Sequence, residues 1–146
     1  MHATPRPPRR AAARAGAAAA LAGVLGVLLS GCGASATRVD GARAAGRAFE
    51  QALASRDYAA ACALLAPRTR EELVEDGRGP CPQALEERRL PVSAAVNSAE
   101  VYGRQALVRA EGETLFLSLF GGGWRIVAAG CTPQGDEPYR CDVKGG

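Results

Sequence analysis

Histidine and lysine are almost absent from this chain: His2 and Lys144 are the only residues of their kind among 146. His2 stands in a leader expected to be removed, so the mature protein can hold neither a Ser-His-Asp nor a Cys-His arrangement. The five cysteines contain no Cys-x-x-Cys pair, and with no histidine to complete a ligand set no metal site is expected. No apolar run reaches the roughly 20 residues of a membrane-spanning helix, because Arg14 confines the one such stretch to residues 15–29. Neither a phosphate-cradling glycine loop nor an acidic calcium loop is present, since Gly121-Gly122-Gly123 falls between two expected strands and reads as a turn. No cofactor is expected.

Basic runs are also missing beyond the leader. Four of the 18 basic residues lie within residues 1–31, which leaves 14 against 15 acidic ones and a mature net charge of about −1. Arg88-Arg89 follows Glu86-Glu87, and Arg68 and Arg70 precede Glu71 and Glu72, a pattern of solvated helix faces. A nucleic-acid partner, which demands a concentrated basic face, is not expected.

What the chain does have is concentrated at its start. Arg6, Arg9, Arg10 and Arg14 precede an apolar stretch over residues 17–29, and small residues follow, the three parts of an export signal. The segment Leu29-Ser30-Gly31-Cys32 resembles the lipobox of bacterial lipoproteins. That resemblance implies cleavage before Cys32, a diacylglyceryl group on its thiol, and residence on the outer face of the cytoplasmic membrane. Two acyl chains make a durable anchor where one holds only marginally. An uncleaved membrane helix and ordinary cleavage with Cys32 left as a free thiol are the competing readings. Arg9-Arg10 also admits a twin-arginine route, although Ala11, Ala12 and Ala13 stand where such signals carry bulky apolar residues, and the export route stays open. Abundant alanine and arginine with one lysine fit a GC-rich genome, so the resemblance is to lipoproteins of actinobacterial type.

The expected division is a signal peptide over residues 1–31, a lipidated tether over 32–40, an α+β domain over 41–130 and a disulfide-stapled tail over 131–146. Cys62, Cys81, Cys131 and Cys141 are an even set in a small exported chain, which points to two disulfides. Three pairings are possible. Cys62 with Cys81 and Cys131 with Cys141 are favoured, because each closes a short loop within one region. A loop of that size is worth about 3 kcal/mol in the chain-entropy model.

From residue 40 to 65 apolar residues recur at helical spacing, through Ala42, Ala45, Phe49, Leu53, Tyr58, Ala61, Cys62 and Leu65. Ser55-Arg56-Asp57 divides this stretch into two helices, with Asp57 as the cap of the second. Thr69 and Glu72 suggest a capping box for a third helix ending near residue 76, and Pro82 opens a fourth ending near residue 89. After Pro91 the pattern changes to short branched and apolar segments expected as strands over residues 98–102, 106–110, 114–120 and 124–129. Leu115, Leu117 and Leu119 share one face, and Phe116, Ser118 and Phe120 share the other. The class is α+β, with N-terminal helices packed on an antiparallel meander. The tail after residue 131 lacks periodicity and is expected to be loose without its staple.

N-terminal helices, the segment Ser55-Arg56-Asp57-Tyr58 leading into Ala59-Ala60-Ala61, and a meander ending in Gly123-Trp124-Arg125-Ile126-Val127 together resemble the nuclear transport factor 2-like fold. That fold, a cone-like and cystatin-like roll, is shared by ketosteroid isomerases, SnoaL-like cyclases and many bacterial lipoproteins, and the resemblance covers roughly residues 39–129. It implies a cone able to hold an apolar ligand, with Phe49, Tyr58, Tyr102, Phe116 and Trp124 as pocket or core residues. Enzymes of the fold use an acid as base, for which Glu50, Asp57, Glu100, Glu111 and Glu113 are available beside the hydroxyls of Tyr58 and Tyr102. Each has a simpler reading. Asp57 is explained as a cap, Glu111 and Glu113 as turn residues, and Tyr58 and Trp124 as amphipathic core anchors. No residue is assigned a catalytic role. The expected function is a membrane-anchored, non-catalytic binding or accessory module for a small apolar molecule or an envelope protein. A small enzyme with a carboxylate base and a purely structural envelope protein are the alternatives.

Overall fold

A computed structural model describes residues 34–93 and 95–145. The leader and Cys32 lie outside the described residues. Four helices come first and six strands follow: α1 (Ala36–Ala54), α2 (Tyr58–Leu64), α3 (Pro67–Asp76), α4 (Cys81–Glu87), β1 (Val96–Tyr102), β2 (Gln105–Ala110), β3 (Glu113–Phe120), β4 (Gly123–Gln134), β5 (Glu137–Arg140) and β6 (Val143–Lys144). The class is α+β, as the change of periodicity at Pro91 indicates.

α1 places Ala42, Gly46, Phe49, Ala52 and Leu53 on its buried side, the spacing of a helical stripe. It begins at Ala36, so much of the segment expected as tether is already helix. Its end is a Schellman motif, in which Asp57 N–H donates to Ala52 O at 2.9 Å and Arg56 N–H to Leu53 O at 3.0 Å. Asp57 then caps α2 by accepting from Ala60 N–H at 3.0 Å. α3 departs from expectation. Pro67 occupies its first turn, so Thr69 lies inside the helix and its hydroxyl donates to Val127 O at 3.1 Å. That bond ties α3 to the sheet, and no capping box forms because α3 starts one turn earlier than Thr69 requires.

The strands run antiparallel in the order β1-β2-β3-β4-β5, with β6 also paired to β4. The first three turns have two-residue loops, since Tyr102 pairs with Gln105, Ala110 with Glu113 and Phe120 with Gly123. Register shifts at Val96/Ser98 and on both sides of Phe116 mark bulges, which bend strands and curve the sheet. Its inner face presents Ala106, Val108, Leu115, Leu117 and Ile126 to Phe49 and Leu53 of α1. Gly46 is where α1 comes closest to the sheet: a Cβ there would stand 2.8 Å from Val108 Cγ1.

The two disulfides join Cys62 to Cys81 and Cys131 to Cys141. The first ties α2 to the opening residue of α4. The second closes the C-terminal hairpin, whose Tyr139 packs edge-on against Phe116 with ring centroids 5.1 Å apart. The tail is therefore not irregular: β4 continues to Gln134, β5 returns along it, and β6 pairs with Ala128 and Ala129. Periodicity missed it because β5 and β6 have 4 and 2 residues, too few to display an alternation. Among the described residues no helix is long and apolar enough to cross a membrane.

Candidate functional site

The five aromatic residues expected at a pocket are not brought together. Phe49 is fully enclosed in the core, and Trp124 is buried against Gly41 of α1. Phe116 lies half-buried on the outer face of the sheet, and Tyr102 stands exposed at the end of β1. Of the five, Tyr58 lines a surface cleft. The interior that an open cone would offer to a ligand is occupied by Phe49, Val108, Leu115, Leu117 and Ile126, all among the most deeply buried side chains.

The cleft at Tyr58 has a volume of about 750 Å³ and runs between the end of α1 and the end of α4. Arg56 and Arg89 line it, with φ angles of 55° and 48°. They are the two non-glycine residues with positive φ among those described. Each follows a helix C-cap, where glycine is the usual residue and an L side chain costs about 1 kcal/mol. The helix stop thus explains the backbone, and it places both arginines on the lining of one cleft. Val92, 59% exposed, adds an apolar surface between them, and Glu86 and Glu87 of α4 complete the lining. The lining is mixed in charge and polar, which suits a polypeptide surface more than an apolar small molecule.

A second cleft of about 330 Å³ adjoins the first at Ala54 and has Glu50 in its wall. Glu50 is 3% exposed and Glu113, at the head of β3, 4%. Glu50 Oε2 accepts from Ser93 N–H at 2.9 Å and Glu113 Oε2 from Gly130 N–H at 2.5 Å. The remaining oxygen of each finds no protein donor, and the two carboxyl groups influence one another electrostatically. Burial, reinforced by the charge of Glu50, pushes Glu113 up to about 8. Burial also raises Glu50, against the opposing hydrogen bonds from Ser93 and Glu113. Glu113 is therefore held largely protonated at neutral pH. Glu113 is thus not a turn residue but a buried one, because it continues the inward face of Leu115 and Leu117.

The hydroxyl of Ser93, whose N–H bonds Glu50, is itself engaged. The Ser93 hydroxyl donates to Ala95 O at 2.9 Å and accepts from Glu111 N–H at 2.9 Å. Glu100 lies on the outer face, where hydrogen bonds from Tyr102 and then Arg109 hold its carboxyl below the usual range. Glu111 and Asp57 are exposed, Asp57 as a helix cap.

Arg56, Arg89 and Val92 are the contributors that composition and spacing did not single out. A signal for the carboxyl pair was present: Glu50 follows Gly46 by four residues and precedes Leu53 by three, on the buried stripe of α1. Among the described residues no cluster of three or more histidine, cysteine, aspartate or glutamate side chains could hold a metal ion. No family model, curated protein or solved structure matches the chain.

Proposed function

We propose that the protein is an exported lipoprotein of the cell envelope, anchored through Cys32, whose folded domain binds a protein partner and performs no chemistry of its own. The observation that carries the binding reading is the cleft of Arg56, Tyr58, Arg89 and Val92, open to solvent beside an interior already filled by side chains. Export is supported by the two disulfides, which persist in oxidising compartments. The order of helices followed by a curved meander supports kinship with the nuclear transport factor 2-like fold, in a version whose cone is packed shut.

The test is a photo-crosslinking residue at Val92, in full-length protein expressed in its native envelope. A discrete adduct that disappears in the Arg56→Ala Arg89→Ala variant is expected. No adduct, or one indifferent to both arginines, would overturn the assignment of this cleft. Cys32→Ala should separately release or mislocalise the protein, and continued lipidation or tight membrane association of that variant would count against the anchor.

The buried carboxyl pair favours a second reading, a small enzyme with Glu50 as base at the smaller cleft. It is the weaker one. One oxygen of each carboxyl group is taken by a backbone donor, and Glu50 keeps almost no surface from which to reach a substrate.

A further inference from the structure

The opposite end of α1 carries a different chemistry. Arg38, in the first turns of α1, donates to Gly103 O in the β1–β2 turn at 3.1 Å. Arg104 of that turn donates to Leu119 O, and Leu119 N–H returns a bond to Arg104 O at 2.8 Å. Gly41 sits against Trp124, just beyond the β3–β4 turn. These contacts gather the start of α1 and two strand turns at one end of the domain.

Two aromatic residues stand out from that end, Tyr102 at 66% exposure and Phe120 at 41%. Three cations accompany them. The side-chain hydrogen bonds found for Arg38, Arg104 and Arg125 go to backbone carbonyls, and none of the four ion pairs among the described residues includes them. The nearby acids are already engaged, Asp40 by Arg43 at 3.3 Å and Glu100 by Arg109 and Tyr102. In a mature chain of about −1 net charge, this end is thus locally positive.

The covalent reach is short. Three residues, Gly33, Ala34 and Ser35, separate Cys32 from the first residue of α1, a span of at most about 14 Å. Whatever holds Cys32 must therefore lie close to this end. Tyrosine and phenylalanine rings beside guanidinium groups that no carboxylate neutralises suit the boundary of a bilayer, where rings enter the headgroup layer and cations meet anionic phosphate.

We propose that the end formed by Arg38, Tyr102, Arg104, Phe120 and Arg125 seats directly on an anionic membrane surface. This inference rests on the lipid anchor at Cys32. It adds to the anchor a fixed orientation, in which the domain docks rather than swings on its tether.

The experiment uses protein purified from its native membrane, with intact mass measured on the same sample. Hydrogen–deuterium exchange at residues 103–104 and 121–122 is compared in detergent, in phosphatidylcholine vesicles, and in such vesicles with phosphatidylglycerol added. Slower exchange at both turns on the anionic vesicles alone is expected, weakening by about fivefold for each guanidinium removed in Arg38→Gln or Arg104→Gln. High salt should reverse it. Tyr102→Ser Phe120→Ser should lose the protection while keeping its melting temperature, because both rings are surface-exposed. A lipidated protein whose turns exchange equally in all three settings would overturn the seat and leave the anchor standing. An unlipidated mass would overturn both.

Discussion

Glu50 of α1 and Glu113 of β3 are two buried carboxyl groups, the charge of the first raising the cost of ionising the second, each anchored at one oxygen by a backbone N–H, from Ser93 and Gly130 respectively. The pair links the longest helix to the centre of the sheet. Because the folded protein raises these acids, it binds more protons than the unfolded chain between their ordinary values near 4.5 and the folded value of about 8. The stability they contribute is complete below about pH 4.5 and is lost as pH rises through 8. Each unit of separation corresponds to about 1.4 kcal/mol, so the fall amounts to a few kcal/mol. Denaturant midpoints taken from pH 5 to 9 should decline, and Glu113→Gln, which keeps an acceptor for Gly130 and a donor for Glu50, should flatten that decline. An equally steep decline in the variant would rule out the raised Glu113 as its cause.

The disulfides should separate into a global and a local effect. Replacing Cys62 and Cys81 with alanine removes the link between α2 and α4, worth about 3 kcal/mol and a melting temperature lower by roughly 10 °C. Replacing Cys131 and Cys141 should first accelerate exchange in β5, whose partner is the far end of β4. Equal loss of protection across the whole sheet in that second variant would contradict the local assignment.

Gly46→Ala tests how closely α1 approaches β2. The added methyl would fall 2.8 Å from Val108 Cγ1, a short and rigid branch that cannot swing away. Overpacking of this kind costs about 1–3 kcal/mol and exceeds the gain of about 1 kcal/mol from helix propensity. Urea unfolding should show a net loss, with Val108→Ala costing less in the Gly46→Ala background than in the wild type. Strict additivity, or a net gain, would place the helix farther from the sheet.

Arg56→Gly should move stability and binding in opposite directions. Glycine relieves a φ of 55° and should stabilise by about 0.5–1 kcal/mol, while the Val92 crosslink weakens. A destabilised variant with undiminished crosslinking would mean that the arginine serves the fold and not the cleft.

The elements were legible where one periodicity governed them. Leu115, Leu117 and Leu119 declared the inner face of β3, and the favoured cysteine pairs are those the structure joins. Thr69 was misread because Ser/Thr-x-x-Glu is a local pattern, and Pro67 starts the helix before that pattern can act. The cleft was illegible for another reason. Arg56 and Arg89 are 33 positions apart in sequence and meet only because two helix stops are folded side by side. Glu50 was placed on the buried stripe of α1 by its spacing, but nothing in the sequence brings it to Glu113, 63 positions away.

α1 has 19 residues and a length of about 28 Å, with Arg38 near one end and the cleft of Arg56 beyond the other. It acts as a ruler. If the base of that ruler rests on the bilayer, the height at which a partner is met is set by a count of helical residues and not by linker slack. Under that seat, flexible residues inserted between Cys32 and Ala36 would leave every contact of the fold intact and still destroy the calibration, which would make the shortness of this junction part of the working geometry.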